Sequence, residues 1–139
     1  MPVDFVKMHG LGNDFIVIDR APNEPLPSAA RWQALSDRHT GIGFDQALVL
    51  EHARTPGARA AYRVFNADGS EVEQCGNGVR CVAWLLQLRQ PLAGDEMLLD
   101  SGAGPVRARV RAAGMVSVDM GIPDFKPAAL PFDAPAEAL

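Results

Sequence analysis

The sequence predicts an α+β roll: a curved mixed or antiparallel sheet wrapped around one central apolar helix. Three observations lead there. Runs rich in Val, Ile, Leu and Phe alternate along the chain with clusters of Gly, Asn, Asp and Pro, the pattern of strands and turns. Within residues 76–88, Val79, Val82, Ala83 and Leu86 fall at i, i+3, i+4 and i+7, while Cys81, Trp84, Leu85 and Leu88 add apolar surface on the other sides. A helix apolar nearly all round should be buried all round, and in a chain of strands a sheet curled about it would bury it.

The elements follow in order. Residues 3–9 and 15–19 read as strands flanking Gly10-Leu11-Gly12-Asn13-Asp14, a cluster of turn formers. Residues 23–27 form a Pro-broken loop. Ser28 is placed to cap a helix running to about Arg38, with Trp32 and Leu35 on one face and Gly41 and Gly43 closing it. Residues 47–50 and 61–65 read as further strands, and Asn66-Ala67-Asp68-Gly69-Ser70 as a turn. After the central helix the pattern is purely β. Residues 97–100 form one strand. Val106, Ala108 and Val110 then alternate with Arg107, Arg109 and Arg111, which gives a buried face and a solvated one. Ala112-Ala113-Gly114 is a hairpin turn, after which Val116, Val118 and Met120 resume the alternation. From Lys126 onward the chain is Pro- and Ala-rich without periodicity, a connecting segment. The organisation expected is a folded domain over residues 1–120 and a connector over 121–139.

Composition narrows the function. With 47% hydrophobic residues the chain can build a core, which excludes disorder throughout. A formal net charge of −4 is the wrong sign for a binder of nucleic acid. No apolar run approaches a membrane span, and the first residues lack a signal-peptide pattern. Two cysteines without a secretory signal point to reduced thiols in a cytosol. No Walker loop, GxGxxG or metal-ligand spacing is present, and His9, His39 and His52 are scattered.

Chemistry concentrates at Gln74-Cys75-Gly76-Asn77-Gly78, where the central helix begins. A helix N-terminus carries unpaired N–H groups and partial positive charge, so it binds anions. Gly76 and Gly78 have no side chains, so a ligand carboxylate could approach those N–H groups. A cysteine at such a position is favoured as thiolate. A thiolate beside an anion cradle can remove a proton from carbon next to a carboxylate without a cofactor. Free cysteines are also common as core packing, and local context alone leaves both readings of Cys75 open. Cys81, inside the apolar helix, reads as core. Six residues of helix separate the two by about 9 Å, beyond the roughly 7 Å a disulfide bridges. Asn13, Gln46 and Asn66 carry donor and acceptor together and could bind a polar substrate, but taken singly Asn13 and Asn66 read first as turn residues and Gln46 as satisfying loop backbone. Asp14, Asp45, Asp68 and Glu71 read as turn and solvated-face residues.

Five motifs occur in sequence: Lys7-Met8-His9-Gly10-Leu11-Gly12-Asn13-Asp14-Phe15, Asp37-Arg38-His39, Gly43-Phe44-Asp45-Gln46, Phe65-Asn66-Ala67-Asp68-Gly69-Ser70-Glu71 and Gln74-Cys75-Gly76-Asn77-Gly78-Val79-Arg80-Cys81. Together they closely resemble the N-terminal half of the diaminopimelate epimerases, from about Val3 through Met120-Gly121-Ile122-Pro123-Asp124-Phe125. The resemblance implies a pseudo-symmetric two-domain fold, each half a curved sheet around a helix, with the active site between the halves. It implies interconversion of LL- and meso-2,6-diaminopimelate without pyridoxal phosphate or metal, in lysine and peptidoglycan biosynthesis, in a cytoplasmic homodimer. It implies that Cys75 is one of two acid/base cysteines, that Gly76 and Asn77 cradle the substrate carboxylate, and that Asn13, Gln46 and Asn66 line the substrate pocket.

One departure is large. The family's second cysteine, in a second glycine-rich helix start, has no counterpart after Cys75, and Cys81 does not match it. Two-base epimerisation needs one group on each face of the α-carbon. The expectation is therefore a chain that lacks its C-terminal half and does not epimerise alone. The alternatives are a non-catalytic amino-acid-binding domain and another racemase of the same fold that works without pyridoxal phosphate. Neither a nucleic-acid nor a membrane partner is expected.

Overall fold

A computed structural model describes residues 4–130. Its elements are β1 (Val6–Gly10), β2 (Asn13–Asp19), α1 (Ala29–Ser36), β3 (Gln46–Glu51), β4 (Ala58–Asn66), β5 (Glu71–Val72), α2 (Gly76–Arg89), β6 (Glu96–Ser101), β7 (Gly104–Val110) and β8 (Val116–Val118). The strands form one mixed sheet in the order β1-β2-β3-β4-β6-β7-β8, with β5 paired to β4. Neighbours are antiparallel except β2 with β3 and β4 with β6. Parallel neighbours need a long crossover, and each of the two crossovers carries one helix.

The two helices lie on opposite faces, and side-chain alternation explains how. In β2, Phe15 and Val17 join the cluster around α2, while Ile16 and Ile18 join the cluster around Trp32 of α1. In β3, Leu48 and Leu50 face α2, and Ala47 and Val49 face α1. Strands buried on both faces must be apolar at every position, which is why Phe15-Ile16-Val17-Ile18 and Ala47-Leu48-Val49-Leu50 are continuous runs. β7 lies outside the layer covered by α1. Its Val106, Ala108 and Val110 are buried against α2, and its arginines face out, as the alternation predicts.

Several boundaries differ from the sequence expectation. The first strand starts at Val6 and runs to Gly10; Val3 lies outside the described residues. Ser28 caps α1 by accepting from Arg31 N–H (3.2 Å). The helix stops at Ser36 rather than Arg38. The Asp37 carboxylate takes the His39 and Thr40 N–H groups (2.8 and 2.7 Å) and turns the chain away. β8 ends at Val118, so Met120 is not a strand residue and is 53% exposed. The short β5, held by Glu71 paired with Arg63 (2.6 Å), has no clear sequence signal. Ala112–Gly114 is the expected turn between β7 and β8. Residues 121–130 of the expected connector are described; 131–139 lie outside the described residues.

α2 packs against β1, β2, β7 and β8, so the sheet curls about it as predicted. The burial is not all round. Val79, Cys81, Val82, Ala83 and Leu85 are buried, whereas Trp84 is half-buried and Leu88 is 59% exposed. The roll is open: β1 and β8 are its edges, and Trp84 sits in the groove between them with Met8 and Met115. No helix of the described residues is long and apolar enough to cross a membrane.

Candidate active site

Cys75 is the N-cap of α2, with extended backbone (φ −145°, ψ 112°) and no capping bond from its side chain. Its carbonyl accepts from Val79 N–H (2.9 Å), the first bond of the helix. The preceding amides, of Gly76, Asn77 and Gly78, have no partner within the helix. Half-buried, Cys75 turns its Sγ–H to Gln46 Oε1 (3.3 Å). Gly78 corrects one expectation. It is buried, and a Cβ on it would stand 2.9 Å from Leu48 Cδ2, so its lack of a side chain serves helix–sheet packing rather than ligand approach. A Cβ on Gly76 would meet only Met120, at 3.7 Å, and Gly76 lines an open hollow.

The sheet delivers the carboxamides. Gln46 and Asn66 are register partners on β3 and β4, so their side chains share a face. Gln46 Nε2 donates to Asn66 Oδ1 (2.9 Å), and Asn66 Nδ2 donates to Ser70 Oγ (3.0 Å) across the turn that follows β4. On the other side of Cys75, Asn77 Nδ2 donates to Asn13 Oδ1 (3.2 Å), and Asn13 Nδ2 donates to Asp45 Oδ2 (3.1 Å). Arg80 donates to Asn77 Oδ1 and has no carboxylate partner among the described residues. The structure thus brings Cys75, Gln46 and Asn66 into one hydrogen-bonded chain and Asn13 and Asn77 into another. The two flank the helix start.

Behind Asn13 lies an ion network not legible in the sequence. Asp14, read there as a turn residue, accepts two bonds from Arg38 (3.0 and 2.7 Å) and one from Lys7 (2.8 Å). Arg38 also reaches Asp45 (3.0 Å), and Lys7 donates to the Gly43 carbonyl. The Arg38 guanidinium, with Lys7, holds the Asp14 carboxyl far below the usual carboxylate range, and Asp14 raises Arg38 in turn. Asp45, Asp68, Ser70 and Arg80 were likewise missed as site neighbours. Their motifs contain them, but a turn aspartate reads alike whether solvated or anchoring a network.

The α2 start opens onto a shallow hollow of about 450 Å³ lined by Cys75, Gly76, Asn77, Arg80, Val116 and Met120, among others. A more enclosed apolar cavity of about 260 Å³ lies on the opposite face, under α1 around Trp32 and Ile16, and none of these site residues lines it. Cys81 is core, 4% exposed, and burial pushes its thiol up to about 11. Both cysteines are free.

Chemically, a thiol on an open helix start, flanked by carboxamides and uncapped amides, can bind a carboxylate and exchange a proton beside it. The fold has the shape of known racemases and epimerases. It matches a probable proline racemase from Agrobacterium radiobacter K84 with a TM-score of 0.64 and 21% identity, covering 84% of this chain and 41% of that one. It matches a hydroxyproline epimerase from Agrobacterium vitis at 0.60 and 20%, covering 82% and 40%. A PhzF-family phenazine biosynthesis protein from Bacillus anthracis shares the fold at 0.55 and 17%, covering 84% and 38%. At these identities the likeness concerns the fold alone, which is that of one lobe of the proline racemase and diaminopimelate epimerase class. The particular family follows from sequence: the diaminopimelate epimerase model matches residues 5–126, and the chain belongs to that family. Diaminopimelate epimerases from Pseudomonas fluorescens and Azoarcus sp. (strain BH72) are 47% and 46% identical over 142 and 140 residues, covering 100% and 99% of this chain and 50% of each relative. The relative from Acinetobacter baumannii is 47% identical over 134 residues, 96% of this chain and 48% of its own. The chain spans about half the length of the curated relatives it matches.

Proposed function

We propose that this chain is the N-terminal lobe of an enzyme that interconverts LL- and meso-2,6-diaminopimelate, with Cys75 as the acid/base on one face of the α-carbon. The observation that carries the reading is the Cys75 thiol, bonded to Gln46 at the mouth of an uncapped helix start. The amides of Gly76 and Asn77 receive the substrate α-carboxylate, and the α2 dipole offsets the charge that builds there as the α-proton leaves. Cys75 as thiolate takes that proton and becomes a thiol; in the reverse direction it returns it. A group on the opposite face, outside this chain, does the converse. Asn13, Gln46 and Asn66 line the pocket for the rest of the substrate.

Residues 1–120 form the lobe, and 121–139 lead toward a second lobe that closes over the hollow and excludes water. The exposed apolar side chains Leu11, Met115, Met120, Ile122 and Phe125 are consistent with a surface to be covered. In this reading the isolated chain does not epimerise, and the whole enzyme is a cytoplasmic homodimer serving lysine and peptidoglycan synthesis. The test is deuterium incorporation from solvent at the substrate α-carbon, using the full-length gene product that contains this chain. Cys75→Ala should abolish epimerisation. Undiminished exchange in that variant would refute the assignment and leave a domain that only binds an amino acid.

A further inference from the structure

One chain of hydrogen bonds runs from the surface to the reactive sulfur, and its links share one direction. Cys75 Sγ–H donates to Gln46 Oε1 (3.3 Å), and Gln46 Nε2 donates to Asn66 Oδ1 (2.9 Å). Asn66 Nδ2 donates to Ser70 Oγ (3.0 Å), whose hydroxyl donates to Asp68 Oδ1 (2.6 Å). A carboxamide is an acceptor at one end and a donor at the other, so fixing one link fixes the rest. Two arrangements keep the chain connected. In the one present, the Gln46 carbonyl faces the sulfur, which must donate, as a thiol does. In the other, the Ser70 hydroxyl swings to Asn66 Oδ1, both carboxamides rotate half a turn, and Gln46 Nε2–H faces a sulfur that accepts, as a thiolate does. The exchange moves no proton along the chain; it turns two amides and one hydroxyl.

Asp68 biases the choice. An ionised carboxylate only accepts, and its 2.6 Å bond from Ser70 is charge-assisted, stronger than the bond to an amide oxygen that would replace it. The Ser70 hydroxyl and amide hold the Asp68 carboxyl below the usual carboxylate range, so it stays an acceptor at neutral pH. The turn is itself anchored: Gln33 Nε2 donates to the Asp68 carbonyl (3.2 Å), and Ser36 Oγ donates to that of Ala67 (3.3 Å).

We propose that Asp68 and Ser70 are positioning residues that, through Asn66 and Gln46, set which end of the Gln46 carboxamide faces Cys75, and so hold the ligand-free sulfur as a hydrogen-bond donor. Its catalytic meaning rests on the reading of Cys75 as the acid/base. Proton abstraction needs the thiolate, which the second arrangement supports, so the bias set by Asp68 must be relieved for that step. Neither Asp68 nor Ser70 touches the sulfur.

The test uses the ligand-free full-length gene product and two readouts: the infrared S–H stretching band of Cys75, assigned with Cys75→Ser, and the rate of Cys75 alkylation at fixed neutral pH. Asp68→Asn weakens the bias while keeping the shape, and Ser70→Ala cuts the relay. Each should weaken or shift the hydrogen-bonded Cys75 band and raise its alkylation about tenfold, the factor that corresponds to the free-energy difference between a charge-assisted and a neutral bond. The Cys81 band should stay in place, reporting an intact core. Gln33→Ala, which loosens the same turn without entering the relay, should change neither readout. Unchanged band and rate in Asp68→Asn would overturn the proposal, as would an equal change in Gln33→Ala. Because both readouts are taken without substrate, failure of the relay and failure of the epimerase reading are separate results.

Discussion

Gly69 joins the outer helix to the site, and Gly69→Ala measures how firmly. Gly69 has φ +85°, and a Cβ there would stand 2.5 Å from Ala29 Cα and 2.8 Å from Ala29 Cβ. Alanine in this backbone conformation costs about 1–2 kcal/mol. The clash is with backbone at the first residue of α1, so no rotamer relieves it. Either the turn or the helix must move, at roughly 1–3 kcal/mol by analogy with overpacked cores. The sum is about 2–5 kcal/mol. Gly57 supplies the control. It has φ +82°, and a methyl group there would meet nothing within 4 Å, so Gly57→Ala should cost the conformational part alone. The assay is urea unfolding of the protein that carries this chain, followed by tryptophan fluorescence, with the variants compared at a common slope. If Gly69→Ala is no more destabilising than Gly57→Ala, α1 does not brace the turn as described. The turn holds Asp68 and Ser70, so the same variant should also disturb the Cys75 environment.

Other outcomes follow from the same contacts. Cys75 should be alkylated well before Cys81, because Cys81 is 4% exposed and its thiol lies near 11; peptide mass mapping at pH 8 that found equal labelling would contradict the burial. Asp14→Asn should lower the urea midpoint at neutral pH. The Asp14 carboxyl is depressed below its ordinary 3.8, so its contribution is complete above that pH and is lost as pH falls toward the folded value. The gap between parent and variant should therefore narrow only in acid, and a gap that widened there would refute the network. Tyr62 is fully buried, and its hydroxyl makes no well-formed hydrogen bond among the described residues; burial, only partly opposed by the nearby Ser101, pushes it up to about 12. Tyr62→Phe should thus change stability by less than about 1 kcal/mol; a larger loss in thermal unfolding would show the hydroxyl to be bonded.

The candidate site was singled out in the sequence by five ordered motifs that resemble one family, because taken one at a time its residues are types with ordinary structural uses. Cys75 could equally be core packing and Asn13, Gln46 and Asn66 turn or loop residues; the structure draws each into a hydrogen-bonded chain beside α2. Asp45, Asp68 and Arg80 did not stand out, since charged residues in turns and on helices are ordinary on any surface. Only their partners distinguish them: Asn13 for Asp45, Ser70 for Asp68 and Asn77 for Arg80. Gly78 was legible as special but for the wrong reason, because a glycine signals that something comes close without saying whether it is a ligand or Leu48.

The sequence by itself determined where both helices and all the strands but β5 form, to within a few residues at their ends, because apolar periodicity and turn chemistry act over a few residues at a time. It also determined that one helix would be enclosed by strands, since α2 carries more apolar surface than one face of a sheet covers. Tertiary structure alone decided that β2 pairs with β3 and β4 with β6 in parallel, that α1 and α2 take opposite faces, and that the roll stays open between β1 and β8. It alone turned the Gln46 carbonyl toward the Cys75 sulfur. Strand pairing and hydrogen-bond polarity depend on partners 20 to 64 residues away, as in Gln46 with Asn66 and Asn13 with Asn77, and a local pattern carries no record of them.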